Sequence, residues 1–197
     1  MATLSVTNIF NLSKATLIKF GALDWIADAV ADAIANSESV GNRICGLYYL
    51  ESYCLQLKSG RVRGDIEPIV SQEKAGIVRV DAKFGFAQPA FQRGIVPARE
   101  AALKNGICSL AIGHAHTCTS LGYFTEQIAK SNLIGIGFTN ASPIVAAPGG
   151  KSRIIGTNPI AFSVPDGKGN TVIHFDQSTT AVALGKITTV SYTHLPI

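Results

Sequence analysis

The sequence has 197 residues, of which 47% are hydrophobic and 15% charged, and its formal net charge is +4. This composition excludes a disordered or fibrous chain, and the length suffices for one or two compact domains with their own cores. The lysines and arginines are scattered rather than gathered in a basic run, which argues against a nucleic-acid partner and fits a small anionic ligand.

The N-terminal third of the chain predicts three helices. Apolar residues at helical spacing predict helices over 7–20 and 23–36, and the alanine-rich face of the second suits close helix packing. A third helix is predicted from about Gly46 to Lys58, and Gly60 ends it. A charged connector over 61–68 follows.

Strands dominate the rest of the chain. We predict a strand over 77–80, a helix over 87–104 that Pro97 should kink or interrupt, and a helix over 119–130. Four short apolar runs, ICSLAI, LIGIGF, IAFSV and TVIHF, predict buried strands that end in hydroxyl, amide or imidazole side chains. Helices first and strands later predict an α+β fold. We divide the chain into a helical region over 1–75, a sheet domain over 76–189 and a tail over 190–197 that follows no helix or strand pattern.

The cysteines and the chain start bear on the compartment. Cys45, Cys54, Cys108 and Cys118 lie at irregular spacing without a CxxC motif, which predicts free thiols in a reducing compartment. The first ten residues do not resemble a signal peptide, and no apolar run approaches the ~20 residues that a membrane span requires. We therefore expect a soluble, cytoplasmic protein.

Nucleotide-binding signatures of the common kinds are absent. The segment 135–140 lacks the third glycine of the Rossmann fingerprint, and no P-loop is present. A phosphate or ribose group would instead bind at the start of the helix predicted over 119–130, where Thr117, Thr119 and Ser120 cluster. Ordinary capping of that helix by hydroxyl groups is an equally weighted interpretation.

Two further groups of polar residues are candidates for chemistry. His114, His116 and Cys118 alternate, so in an extended segment all three side chains would lie on one face, where they could bind zinc. The sequence offers no further group of ligands, which favours a catalytic or cofactor-facing imidazole and no metal. Asp176 ends an apolar run, where it can orient an acid–base group, hold a ribose, or cap a helix over 179–184. We expect His174 on the opposite face of that strand.

Several motifs then resemble one known family. These motifs are Val80-Asp-Ala with Gly85-Phe-Ala-Gln-Pro-Ala, Thr139-Asn-Ala-Ser-Pro, Gly149-Gly-Lys, Gly156-Thr-Asn-Pro-Ile-Ala-Phe, and Asp176-Gln-Ser-Thr-Thr with the residues up to Ile187. They are similar in order and spacing to the malate/L-lactate dehydrogenase family, which binds NAD(P) without a Rossmann fold. The first pair is most similar to the Δ1-piperideine-2-carboxylate/Δ1-pyrroline-2-carboxylate reductase branch.

The resemblance implies a fold, a reaction and a partner. It implies a largely antiparallel sheet, a homodimer, and hydride transfer between NADP or NAD and a small 2-oxo acid, 2-hydroxy acid or cyclic imino acid. The alternative is a catalytically impaired fragment of the family that acts only as a scaffold or ligand-binding protein. The chain is shorter than the family's, and the glycine-rich segment and lysine that follow in relatives are not present in it.

The resemblance also assigns residues. Where the family reads Ser-His-Gly-x-x-Arg, this chain has Cys45 in place of the proton-transferring His and Tyr49 in place of the carboxylate-binding Arg. The resemblance places Thr117 where the family has a His before Phe, one residue after His116. The catalytic residues that we predict are Cys45, His116 and Asp176. The implied cofactor-binding residues are Thr117, Cys118, Thr119, Ser120, Asp176, Gln177 and Ser178, and the implied substrate-binding residues are Tyr49, Asn140, Ser142 and Thr157.

Overall fold

The computed structural model describes residues 3–180, which form an α+β fold as the sequence predicts. The chain divides into two compact units, the first ending at Tyr123 and the second beginning at Phe124. The functional division at residues 75 and 76 stays a prediction. The tail over 190–197 and most of the helix considered over 179–184 lie outside the described residues.

The first unit contains four helices and three strands. They are α1 (Val6–Lys19), α2 (Asp24–Ser39), α3 (Leu50–Lys58), β1 (Ile69–Lys74), β2 (Ile77–Asp81), α4 (Ala87–Asn105) and β3 (Ser109–Gly113). The three predicted N-terminal helices are confirmed, although α3 begins four residues later than expected. Two short 3-10 turns, Arg43–Cys45 and Leu47–Tyr49, precede it.

The turn before α3 is shaped by a glutamate at the end of α2. The Leu47 backbone N–H donates to the Glu38 Oε1 atom at 2.8 Å. Gly46 lies so close to the Glu38 side chain that a Cβ atom would collide with it. Because Glu38 fixes this turn, it also fixes the direction in which Cys45 and Tyr49 leave the backbone.

The helices enclose the core of the first unit. Leu17 from α1 and Ile26, Val30 and Ile34 from α2 are almost completely buried, and they belong to one apolar cluster with Tyr53 and Phe86. The alanine positions of α2 are buried as well, as the pattern of small residues predicts. The core therefore ends at two aromatic rings that also form part of the site described below.

The sheet of the first unit has the order β1-β2-β3. β1 pairs antiparallel with β2, and β2 pairs parallel with β3 through the crossover helix α4, with Asp81 opposite Gly113. α4 runs without a break through Pro97, so the expected interruption does not occur. Ala98 and Ala101 on the following turns are buried, and this packing keeps the helix in place despite the backbone hydrogen bond that proline lacks.

Within residues 124–180, the second unit contains one helix, which begins two residues before the unit does, and short antiparallel strands. They are α5 (Gly122–Ala129), β4 (Gly135–Phe138), β5 (Pro143–Ala146), β6 (Arg153–Gly156), β7 (Ile160–Pro165) and β8 (Thr171–Gln177). One sheet has the order β4-β7-β8 and another pairs β5 with β6. Of the strand pairings within residues 3–180, that of β2 with β3 is parallel and the other four are antiparallel, so the largely antiparallel sheet is confirmed.

The sheet β4-β7-β8 has one packed face and one open face. Gly135 and Ser163 pair on the packed face, against α5. Ile136, Phe162 and Phe175 lie in register across the other face, where Phe138 is 74% exposed and Ile136 is 55% exposed. We call Ile136, Phe138, Phe162 and Phe175 the open sheet face. The apolar runs therefore form strands as predicted, but β4 and β8 are not buried.

Among residues 3–180, the helices are too short or too polar to cross a membrane.

A glycine allows α5 to approach β4 closely. A Cβ atom on Gly135 would lie 2.7 Å from the Thr125 carbonyl oxygen and 3.1 Å from the Ile128 Cβ atom. We expect Gly135→Ala to lower the free energy of unfolding by about 1–3 kcal/mol, because the helix must move away from the strand. Urea denaturation followed by circular dichroism measures this change.

Gly113→Ala in β3 is the matched control, since a Cβ atom there meets nothing within 4 Å. We expect it to change the unfolding free energy by less than about 0.5 kcal/mol. Equal effects of the two substitutions would contradict the proposed close approach.

Candidate active site

The candidate site lies at the carboxyl ends of the parallel strands β2 and β3. Two loops, 82–86 and 114–121, leave these ends side by side. Backbone hydrogen bonds join them: Ala82 N–H donates to Gly113 at 3.0 Å, Phe84 N–H to His114 at 2.7 Å, and His116 N–H to Gly85 at 2.8 Å. The carboxyl edge of parallel strands is where α/β proteins commonly bind ligands.

The backbone of both loops is strained. Lys83, Phe84, His114 and Thr119 have φ angles of 49°, 64°, 49° and 58°, although none of them is glycine. Such conformations cost on the order of 1–3 kcal/mol each and cluster at functional sites. Four strained residues on two adjoining loops therefore single out this edge within the first unit.

His116 is held by aromatic rings. Its imidazole lies edge-on to the Tyr53 and Phe86 rings, with centroids 6.0 Å away in both cases, and the Tyr53 and Phe86 centroids are 5.4 Å apart. Both rings are 1% exposed, so the core of the first unit fixes the position of the imidazole. Tyr49 extends the group, with its ring centroid 5.9 Å from that of Tyr53.

Burial and charge keep the His116 imidazole neutral. Burial lowers the pKa of His116 below its usual value, and the nearby guanidinium of Arg61 lowers it further. Within the described residues, the buried Nε2 atom of His116 has no hydrogen-bond partner. A neutral imidazole can accept a proton from a ligand that reaches one of its ring nitrogens.

The phenols beside His116 stay protonated at neutral pH. Burial raises the pKa of Tyr49, and the neighbouring groups Cys45, Tyr48 and Cys118 raise it further. Burial also raises the pKa of Tyr53 well above its usual range. Both side chains therefore remain hydrogen-bond donors. The structure brings Cys45, Tyr49, His116 and Cys118 together around Tyr53, which the sequence did not single out.

The hydroxyl cluster before α5 differs from the expectation. Thr119 has a left-handed backbone, which a helix cannot accommodate, so α5 begins at Gly122 and the predicted helix start at Thr119 is wrong. The Thr117 hydroxyl accepts from Thr119 N–H at 3.3 Å, and the Thr119 hydroxyl donates to the Cys118 carbonyl at 2.7 Å. Thr117, Thr119 and Ser120 thus belong to a loop, and their role as a cofactor cradle stays a prediction.

Gln88 is a second residue that the sequence reading missed. Its Nε2 atom donates to the Cys118 carbonyl at 3.3 Å, and the side chain is 1% exposed. Its Oε1 atom is buried without a hydrogen-bond partner in the described part of the chain. Its place in the Gly85-Phe-Ala-Gln-Pro-Ala motif was the available signal.

The described residues provide no set of ligands for a zinc ion. Within residues 3–180, no three His, Cys, Asp or Glu side chains come together in a way that could hold a metal ion. His114 has a left-handed backbone, so 114–118 is not the regular extended segment that would align its alternate side chains. All four cysteines are free thiols, as predicted.

In the second unit, the predicted residues occupy turns and strand ends. The Thr179 N–H and hydroxyl both donate to the Thr157 carbonyl at 3.1 Å, which joins the turn before β7 to the end of β8 near Ser178. Asn158 Oδ1 accepts from Ala141 N–H at 3.0 Å, in the segment of Asn140 and Ser142. The convergence of Asn140, Thr157 and Asp176 with His116 on one nicotinamide stays a prediction.

The face assigned to His174 is corrected. His174 pairs with Ser163 and Asp176 pairs with Ala161, so both project from the same face of β8. Residues two apart in a strand share a face, and the expectation of opposite faces was wrong. The Ser163 hydroxyl donates to Thr125 Oγ1 at 2.9 Å and lies 2.8 Å from His174 Nδ1, so this histidine has a structural partner.

Comparison with known proteins identifies the family. The sequence profile described as Malate/L-lactate dehydrogenase matches residues 4–197. This chain belongs to the malate/L-lactate dehydrogenase family. The family resemblance carried by the motifs is thus confirmed over nearly the whole chain.

The curated relatives of this chain are named for different activities. The (2R)-3-sulfolactate dehydrogenase (NADP(+)) of Chromohalobacter salexigens is 36% identical over 93% of this chain and 55% of its own length. The Delta(1)-pyrroline-2-carboxylate/Delta(1)-piperideine-2-carboxylate reductase of Pseudomonas syringae pv. tomato is 31% identical over 94% of this chain and 54% of its own length. The chain therefore spans about half the length of the curated relatives it matches.

Solved structures confirm the family fold. The delta1-piperideine-2-carboxylate reductase of Pseudomonas syringae has a TM-score of 0.92 at 31% identity, covering all of this chain and 59% of that one. The malate dehydrogenase of Pyrococcus horikoshii has a TM-score of 0.88 at 28% identity, covering 94% of this chain and 53% of that one. The α+β class and the sheet type implied by the motifs are those of these proteins.

The electrostatic link between Arg61 and His116 can be measured directly. We expect Arg61→Gln to raise the pKa of His116, because the imidazolium is no longer repelled, while burial still holds it below about 6.5. Titration of the imidazole by ¹H–¹⁵N NMR gives this value. Arg63→Gln is the control, since Arg63 pairs with Asp65 at 3.2 Å and should leave the His116 titration unchanged.

Proposed function

We propose that this chain carries the acid–base part of an NAD(P)-dependent oxidoreductase acting on a small 2-oxo acid, 2-hydroxy acid or cyclic imino acid. The observation that carries the proposal is the neutral His116 imidazole, whose buried Nε2 atom lacks a partner among the described residues and whose pKa is lowered by burial and by the charge of Arg61. Membership of the family supports the reaction class. The names of the relatives support cyclic imino acids such as Δ1-piperideine-2-carboxylate as substrates.

The first unit offers the types of hydrogen-bonding group that a dinucleotide requires. When bound, NADP or NAD supplies a hydride to the substrate carbon or takes one from it. The Gln88 Oε1 atom is a buried acceptor without a partner in the described residues, and it suits an amide donor. The loop hydroxyls of Thr117, Thr119 and Ser120 suit a ribose or phosphate. Asp176, Gln177 and Ser178 are proposed as the contribution of the second unit.

His116 and Cys45 are the proposed proton-transfer residues. In the oxidising direction, the neutral His116 imidazole can accept the proton that leaves a substrate hydroxyl group. In the reducing direction, the imidazolium returns the proton to the substrate oxygen or nitrogen. Cys45, in the position of the family's histidine, is a second donor beside the same phenols. Asp176 is proposed to orient the acid or the cofactor.

Arg61 is proposed to attract the substrate carboxylate. Tyr49 offers a neutral hydrogen bond where the family has a charged arginine, so a cation must come from elsewhere. Arg61 is the cation whose charge acts on His116. Tyr49, together with Asn140, Ser142 and Thr157, would then complete the substrate contacts through neutral groups.

The proposal extends to the cellular compartment and the oligomeric state of the protein. The four free thiols are consistent with a reducing compartment, and we propose a cytoplasmic protein. We also propose a homodimer that binds a small carboxylate and neither nucleic acid nor membrane.

A second candidate function is a scaffold or ligand-binding fragment without turnover. Cys45 and Tyr49 stand where the family has its proton-transferring histidine and carboxylate-binding arginine. In this case the site would bind a dinucleotide or an acid but would not transfer a hydride.

Cofactor binding and turnover separate the two functions. We expect NADPH or NADH to bind with a dissociation constant between about 1 μM and 1 mM, measured by fluorescence titration, as is usual for enzyme ligands. We further expect oxidation of the cofactor, followed at its nicotinamide absorbance, when Δ1-piperideine-2-carboxylate or pyruvate is added.

His116→Gln tests the proton-transfer role in the same assay. It should lower kcat by about 10²-fold or more while leaving cofactor binding within a few-fold of the unsubstituted chain. Binding without turnover in the unsubstituted chain supports the second function. A chain that binds neither cofactor contradicts the oxidoreductase proposal.

The role of Arg61 predicts a selective effect on the substrate. Arg61→Gln should raise KM for the acid by about tenfold or more, because a charged contact to a carboxylate contributes roughly 1.5–3 kcal/mol. Arg63→Gln should leave KM unchanged, since the Arg63 guanidinium is occupied by Asp65. Steady-state kinetics with varied substrate measure both, and equal KM values for the two variants would contradict the assignment.

A further inference from the structure

Asp81 and His114 form a side-chain pair beside the residues that are proposed to contact the cofactor and the substrate. The Asp81 Oδ1 atom accepts from the Lys83 N–H at 2.8 Å and lies 3.0 Å from the His114 Nδ1 atom. A carboxylate only accepts hydrogen bonds, so His114 Nδ1 carries the proton. The Phe84 ring packs beside the imidazole, with centroids 5.3 Å apart.

The pair joins the two loops of the candidate site. Asp81 is the last residue of β2, and His114 is the first residue after β3. His114 also accepts from Phe84 N–H through its backbone carbonyl, at 2.7 Å. Only one residue separates His114 from His116, whose own N–H is bound to Gly85 at 2.8 Å. A displacement of His114 therefore moves His116 as well.

The backbone at this point requires external support. Lys83, Phe84 and His114 all have left-handed φ angles, and a residue other than glycine relaxes from that conformation unless its surroundings hold it. The carboxylate of Asp81 contacts both loops, through Lys83 N–H and through His114. The backbone N–H of Lys83 and the side chain of His114 both lower the pKa of Asp81, so the carboxylate stays ionised at neutral pH.

We propose that the Asp81–His114 pair is a positioning pair that holds the loop 114–121, and with it His116, in the geometry that binds the cofactor and exchanges the proton. This inference rests on the proposed function. The side chains of His114 and Asp81 are 64% and 45% exposed. An exposed pair of this kind contributes little to global stability, so it acts on the local geometry of the loop rather than on the folding equilibrium.

Two substitutions of His114 isolate the hydrogen bond from the backbone strain. Asparagine tolerates a left-handed φ angle and keeps an N–H donor close to the position of Nδ1, whereas glycine tolerates the angle but has no side-chain donor. His114→Asn should therefore preserve the function of the pair, and His114→Gly should abolish it. Asp81→Asn removes the charge from the other partner.

NMR of the His116 imidazole tests the inference without any cofactor. We expect His114→Gly and Asp81→Asn to shift and broaden the His116 resonances, because the loop then samples several positions. We expect His114→Asn to leave them close to those of the unsubstituted chain. Unchanged His116 resonances in His114→Gly would overturn the inference.

Cofactor titration provides the second readout. We expect His114→Gly to weaken NADPH binding by about tenfold and His114→Asn by less than about threefold, where tenfold corresponds to about 1.4 kcal/mol. Equal binding by the unsubstituted chain and His114→Gly would overturn the inference and leave the proposed function intact. Absence of NADPH and NADH binding in the unsubstituted chain would overturn the proposed function, and the NMR comparison would still decide the role of the pair in the loop.

Discussion

The parallel pairing of β2 with β3 is the constraint on which the first unit depends. Among the strands of residues 3–180 it is the one parallel pairing, to which an isolated parallel bridge between Phe86 and His116 is added, and the helix α4 that connects its strands packs against them. Because the two strands end at the same edge, their loops leave together and can exchange hydrogen bonds. Residues 30 or more positions apart in the sequence, such as Gln88 and Cys118, thereby come into contact.

The aromatic group around His116 connects the helical core with that edge. Tyr53 belongs to α3 and Phe86 precedes α4, yet both contact the same imidazole. The rings exclude water from one side of the imidazole, and Arg61 acts on its charge. Burial and a neighbouring cation both favour the neutral form, which is the form able to accept a proton. The packing that stabilises the unit thus also sets the protonation state of the site.

Local periodicity predicted most elements but few contacts. The helices α1 and α2 and the strands β7 and β8 follow from apolar spacing and short apolar runs. The strands β1, β5 and β6 were not predicted, because β1 and β6 are largely exposed and β5 and β6 have only four residues each. The start of α5 was wrong because a left-handed φ angle at Thr119 has no signature in residue type. Arg61, Tyr53 and Gln88 were missed because their roles arise from tertiary contacts that no local pattern encodes.

The open sheet face has a practical consequence for work on this chain. Phe138 and Ile136 expose 74% and 55% of their surface beside Phe162 and Phe175. Contiguous apolar area of this kind favours contact between molecules. Within residues 3–180 the outer edges of β4 and β8 pair with no other strand, so they add backbone groups that can pair with another chain. At high protein concentration the chain will therefore tend to self-associate through the second unit. Ligand affinities obtained from dilute samples will describe the single molecule most directly.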